Sequence, residues 1–162
     1  MLLPASAQQH CGYDFTSYIV LHIHEDGKSE NISGLKVTLV DRDGNPAVNT
    51  NNSLSWQRAG QTLTFTENYQ IGSDGKKVAE PNENSKWYFP YAKDTYLLSV
   101  TNEFPADDYQ VRIEDTSVEP VFKTLVVPLY SYNMYVLCTG QQATQFGRKL
   151  NKPVKIVLER EK

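Results

Sequence analysis

Apolar side chains in this chain recur at every second position, in short runs that turn-forming residues then break. A period of two belongs to a β-strand with one buried face, because successive side chains on a pleated strand point to opposite sides. Tyr109–Glu114 is the clearest case: Tyr109, Val111 and Ile113 are expected to face in, and Gln110, Arg112 and Glu114 out. On that reading Arg112→Asp should change stability by no more than about 0.5 kcal/mol. Tyr18–His24 repeats the pattern, with Ile19, Leu21 and Ile23 on one side and Val20, His22 and His24 on the other. Leu35–Asp41, Thr95–Thr101, Phe122–Val127, Asn133–Cys138 and Val154–Glu159 complete the regular strands, with a helical turn at most between Thr139 and Asn151. Seven or more short strands with almost no helix predict an all-β fold, a single antiparallel Greek-key β-sandwich of about seven core strands.

The punctuation agrees. Glu25-Asp26-Gly27-Lys28, Asp43-Gly44-Asn45-Pro46 and Ser73-Asp74-Gly75-Lys76 are turn chemistry, and Pro81-Asn82-Glu83-Asn84 reads as a loop. Between Asn49 and Lys93 the alternation fails, which marks an insertion of short strands and loops. Within it, Asn49 to Ser53 is expected on the surface, and Leu54–Gln57 and Leu63–Thr66 are strand-like pieces. Pro90 argues against a central strand through Trp87-Tyr88-Phe89-Pro90-Tyr91. No linker or repeat divides the 162 residues, so one domain spanning 8–162 is expected.

Residues 1–7 read as the remnant of a signal peptide. Ala5-Ser6-Ala7 has the small-x-small form that signal peptidase recognises, and Leu2-Leu3 precede it as the end of an apolar segment. Secretion or a periplasmic location is therefore expected. Cys11 and Cys138 are the only cysteines, lack metal-type spacing, and in an oxidising compartment are expected to form a disulfide. A bridge across so long a loop contributes roughly 4–5 kcal/mol in the chain-entropy model.

The segment Ile32-Ser33-Gly34-Leu35-Lys36-Val37-Thr38-Leu39-Val40-Asp41-Arg42-Asp43-Gly44-Asn45-Pro46-Ala47-Val48 resembles the opening hairpin of transthyretin-like and carboxypeptidase-regulatory-like modules. Asp94–Val100 followed by Tyr109–Ile113 looks like the paired strands that end them, and the whole is similar to small secreted proteins of Bacteroidetes-type bacteria. The resemblance covers about half the chain. It implies a sandwich core serving as a spacer, folding aid or binding platform, and it transfers no catalytic residues.

Charge and motif content narrow the function classes. A net charge of −3 from 16 basic and 19 acidic residues, with no basic cluster, argues against nucleic acid as a partner. No apolar stretch is long enough to insert in a membrane. Catalysis lacks its parts: the three histidines lie in the first 24 residues and no Gly-x-Ser-x-Gly elbow occurs. Asp41-Arg42-Asp43-Gly44-Asn45 begins like a calcium loop, but the twelfth position is Asn52 where an EF-hand needs Glu, so a hairpin turn is expected. His22 and His24 project from one face of a strand. Zn²⁺ or Cu²⁺ would want a further ligand, which His10 could supply only by folding back, so no tight metal and no cofactor are expected. The binding candidates are the insertion aromatics Trp56, Trp87, Tyr88 and Tyr91, with Tyr69 beside them. The expectation is a non-enzymatic accessory or protein-interaction module whose partner is an envelope or extracellular protein. A carbohydrate-binding module using those rings, and a metal-binding protein using His22 and His24, are the alternatives.

Overall fold

The structure, a computed structural model, describes residues 16–101, 104–130, 135–136 and 152–162. The expected export segment 1–7, His10, the expected Cys11–Cys138 disulfide and the helical turn expected between Thr139 and Asn151 lie outside the described residues. The strands are β1 (Thr16–Glu25), β2 (Lys36–Asp41), β3 (Thr66–Glu67), β4 (Gln70–Ile71), β5 (Lys86–Trp87), β6 (Tyr96–Thr101), β7 (Tyr109–Glu114), β8 (Leu125–Pro128), β9 (Tyr135–Val136) and β10 (Val154–Leu158). One 3₁₀ turn, Ala106–Asp108, is the only helical element among the described residues. The all-β fold expected from the alternation is the fold observed.

Two sheets face each other. The first has the order β10-β1-β6-β3, with β9 pairing the start of β1, and the second is β2-β7-β8; β4 and β5 form a separate ribbon. Ile19, Leu21 and Ile23 of β1, Tyr96, Leu98 and Val100 of β6, and Ile156 and Leu158 of β10 point inward. They meet Val37, Leu39, Val111 and Ile113 from the second sheet in one buried cluster. Each such side chain contributes about 1.5–3 kcal/mol by leaving water. Among the described residues all the strand pairs are antiparallel except one: β10 runs parallel to β1, from Leu21 opposite Val154 to Glu25 opposite Leu158. Alternation reports which face a residue occupies and carries no information on direction, so the expected antiparallel sandwich is corrected at its closing strand.

Val20, expected on the side of β1 opposite Ile19, Leu21 and Ile23, is nonetheless buried, because the insertion covers that face of β1 with Phe89 and Ala92. Two further expectations are corrected. Asn49 was placed in a surface loop, but it is fully buried. Its amide donates to the carbonyls of Ser55 (3.0 Å) and Gln57 (2.8 Å), and its carbonyl oxygen accepts from Leu54 N and Ser55 N. Asn51 and Asn52 take left-handed backbone, with φ of 50° and 57°, which asparagine tolerates better than most residues. Leu54–Gln57 is not a strand; it borders β6 through Thr101 N to Leu54 O (3.0 Å) and Ser55 Oγ to Ser99 O (2.6 Å). Leu63–Thr66 fares better: Leu63 and Phe65 are buried, Thr64 bridges Thr38, and the segment leads into β3.

Arg112 is half-buried rather than exposed. It donates to the carbonyl of Gly44 (3.0 Å) and lies 3.4 Å from the carboxylate of Glu114, which also faces Lys36. Arg112→Asp would remove that donor and set a second carboxylate beside Glu114. The expected cost is therefore about 1–3 kcal/mol rather than a few tenths. Urea unfolding of the variant measures it, and a loss under 0.5 kcal/mol would return Arg112 to the role of a solvated surface residue.

Side-chain hydrogen bonds hold the turns. Asp41 Oδ1 accepts from Asp43 N (2.9 Å) and Asn45 N (2.8 Å), the hairpin turn expected there, and the bond from Asn45 N leads in holding the Asp41 carboxyl below its usual range. Asp115 ties down the loop before β8. Its bonds from Ser117 Oγ, Val121 N and Phe122 N draw its carboxyl down to about 2. Where the two sheets meet, Arg160 pairs with Glu25 and lies 5.6 Å over the Phe122 ring. Hydrogen bonds from Arg160 and then Lys28 bring the Glu25 carboxyl to about 2.

Candidate functional site

The outer face of the first sheet carries a second, smaller cluster of its own. Val20 and Leu97 are cross-strand neighbours on β1 and β6, and Tyr18 of β1 is opposite Tyr135 of β9. Over these four lies the end of the insertion, with Phe89 and Ala92 buried against them. Phe89 is the hub of the rings: its centroid is 5.0 Å from Tyr18, 5.3 Å from Tyr135 edge-on, and 5.5 Å from Tyr91 edge-on. Such pairs add about 0.5–1.5 kcal/mol each beyond their burial.

Above the hub the rings reach solvent. Tyr88 is 45% exposed and stacks on Tyr69 with centroids 4.9 Å apart and an interplanar angle of 11°. Its hydroxyl is 3.3 Å from that of Tyr18, and the Lys77 ammonium is 5.3 Å from the centre of the Tyr69 ring. Tyr91 is 66% exposed. Burial, then the bond to Tyr88, pushes the Tyr18 phenol well above its ordinary range, and burial raises Tyr69 and Tyr135. These phenols therefore remain neutral at physiological pH and offer hydroxyls that can both donate and accept.

One side chain positions this surface. Asn68 follows β3 and donates through Nδ2 to the carbonyls of Phe89 (2.8 Å), Ala92 (3.1 Å) and Lys93 (2.8 Å). Its Oδ1 accepts from Phe89 N (3.1 Å) and Tyr69 N (3.0 Å). Thr95 Oγ1 takes a second bond to Ala92 O (2.7 Å), and Tyr88 N donates to Tyr69 O (2.8 Å). The β4–β5 ribbon sets Gln70 opposite Trp87, after which Pro90 turns the chain, so β5 ends where Pro90 was expected to forbid a longer strand.

Comparison with protein-family models, curated proteins and solved structures gives no match. The functional reading therefore rests on the chain's own residues.

Of the aromatic residues singled out in the sequence, Tyr88 and Tyr91 belong to this surface. Trp87 is half-buried in β5. Trp56 is 49% exposed and lies between Ser55 and Gln57, whose side chains bond to Ser99 of β6, the residue opposite Tyr18. The sequence pattern does not single out Tyr18 or Asn68, and it shows Phe89 only as part of an aromatic run. Tyr18 shares the outer side of β1 with Val20, and a large ring and a valine together on a supposedly wet face were the available signal. His22 and His24 do share the outer face of β1, both half-buried, with centroids 5.1 Å apart. Among the described residues no three His, Cys, Asp or Glu side chains form a group that could hold a metal ion.

Proposed function

We propose that this chain is a secreted or periplasmic, non-enzymatic interaction module that docks a partner protein on the tyrosine-lined outer face of its first sheet. The observation that carries the reading is the pairing of exposed Tyr88 and Tyr91 with a foundation made of buried Phe89 and half-buried, hydrogen-bonded Asn68. Rigid tyrosines supply large amphipathic contact area at low entropic cost, and such residues dominate binding energy in protein interfaces. Ala5-Ser6-Ala7 and the cysteine pair support an extracytoplasmic location. The interleaving of the strands, β1-β6-β3 in one sheet and β2-β7-β8 in the other, supports a Greek-key frame of the kind the transthyretin-like resemblance implies.

A sugar platform is less well supported. Tyr88 spends one face on Tyr69 and Tyr91 meets Phe89 edge-on, so the exposed rings do not make one flat stacking surface. The test is cross-linking in the native envelope with the parent, Tyr88→Ala and Tyr91→Ala. A partner protein captured by the parent should bind each variant at least about 30-fold more weakly, the loss expected for a hot spot, while melting temperature stays unchanged. Unaltered protein capture, or binding to glycans that is lost in the same variants, would overturn the proposal.

A further inference from the structure

We infer that His22 and His24 form an exchangeable two-imidazole chelate for a late divalent transition metal, Cu²⁺ above all. The two-residue period of β1 sets both rings on one face, with centroids 5.1 Å apart and planes 34° apart. Each ring is anchored through one nitrogen: His22 Nε2 to the carbonyl of Ser29 (2.8 Å) and His24 Nδ1 to the carbonyl of Glu25 (3.0 Å). A carbonyl oxygen only accepts, so those nitrogens carry the hydrogens. In the neutral rings, His22 Nδ1 and His24 Nε2 are left with their lone pairs. A ligating imidazole in a protein characteristically has this second bond, which fixes its tautomer and orientation and raises its basicity.

The turn that carries the two anchoring carbonyls is itself tied down. Lys28 N donates to Glu25 O (3.0 Å), and beyond Ser29 the chain returns to β1 through Ile32 N to Ile23 O (2.7 Å) and Ile23 N to Asn31 Oδ1 (2.9 Å). The hairpin that follows β1 therefore orients both rings before any metal arrives. At a metal–nitrogen distance of about 2.0–2.1 Å, two adjacent imidazole ligands place their ring centres roughly 4.5–5 Å apart. The observed 5.1 Å needs only small side-chain adjustment.

The surroundings set the character of the site. Lys155 and Val157 of β10 are the ladder partners of His22 and His24 and share their face; both are exposed, so the rings are open to solvent on that side. The Lys155 ammonium is a like charge that weakens cation binding. The Glu25 carboxylate is engaged with Arg160 and Lys28. Two nitrogens with water in the remaining positions suit Cu²⁺ best in the Irving–Williams order, ahead of Ni²⁺ and Zn²⁺. Among the described residues no third His, Cys, Asp or Glu groups with the two rings, so the metal exchanges freely, in contrast to a structural Zn²⁺ site.

Titration of the metal-free full chain with Cu²⁺, followed by electron paramagnetic resonance, tests the inference. The parent should show two equatorial imidazole nitrogens. His22→Gln and His24→Gln should each show one and bind at least about tenfold more weakly, and the double variant should show none from this face and bind more weakly still. Thermal unfolding of each metal-free variant checks that the fold is intact, and the parent spectrum decides the matter should a variant fail to fold. One nitrogen in the parent, equal affinity in the single variants, or loss of binding on His10→Gln alone would overturn it.

Discussion

Val111→Asp is expected to abolish cooperative folding. Val111 is fully buried in the middle strand of the second sheet, with Leu39 of β2 on one side and Val127 of β8 on the other. The substitution removes a packed side chain, worth about 1.5–3 kcal/mol, and places a carboxylate within the apolar cluster of Val37, Leu39, Ile113 and their neighbours. An unpaired buried charge costs several kcal/mol more, or forces the group to take up a proton. Domains of this size have about 5–15 kcal/mol in total, so most or all of the stability is consumed. Circular dichroism should show loss of the native β spectrum, or urea unfolding a transition moved toward zero denaturant. Val126→Asp on the outer side of β8, where the ladder partner is Arg112, should stay within about 0.5 kcal/mol of the parent. Equal losses in the two variants would mean that the faces of β7 and β8 are misassigned.

That contrast also marks how far local pattern carries. β7 was legible to the residue, from Tyr109 to Glu114, because its inward positions alternate cleanly with polar ones. β1 was read two residues short at its start and one at its end, and the burial of Val20 was not legible, because what covers its outer face is Phe89, some seventy positions away. The same reason hides Arg112 and Asn49. Their burial depends on carbonyls of Gly44, Ser55 and Gln57 that only the folded chain brings within reach. Strand direction is equally non-local, so nothing in Val154–Leu158 announces that it lies parallel to β1. At the candidate surface, composition identified the aromatic-rich region and offered Trp56 and Trp87 equally with Tyr88 and Tyr91. The structure gathers the tyrosines, since Tyr88 and Tyr91 flank the one ring, Phe89, that the sheet buries.

Asn68→Ala is expected to cost about 2–4 kcal/mol and to loosen residues 87–93 while the second sheet keeps its protection. The two N–H donors of the native amide are shared among three carbonyls, and its oxygen accepts from two backbone N–H groups around Phe89. Alanine supplies neither donor nor acceptor, and each buried partner left without water or a substitute costs about 1–3 kcal/mol. Chain relaxation toward solvent recovers part of that by lifting the segment off the sheet, at the expense of the packing of Phe89 against Tyr18 and Tyr135. Hydrogen exchange should therefore quicken at Phe89 and Tyr69 first, with little change in β7. Asn68→Asp separates the two halves of the role, because a carboxylate keeps the acceptors for Tyr69 N and Phe89 N but repels the three carbonyls. It should fall nearer to alanine than to the parent. If both variants melt within 0.5 kcal/mol of the parent and exchange is unmoved, Asn68 does not hold the tyrosine face. The rigidity on which the proposed contact surface depends would then need another source.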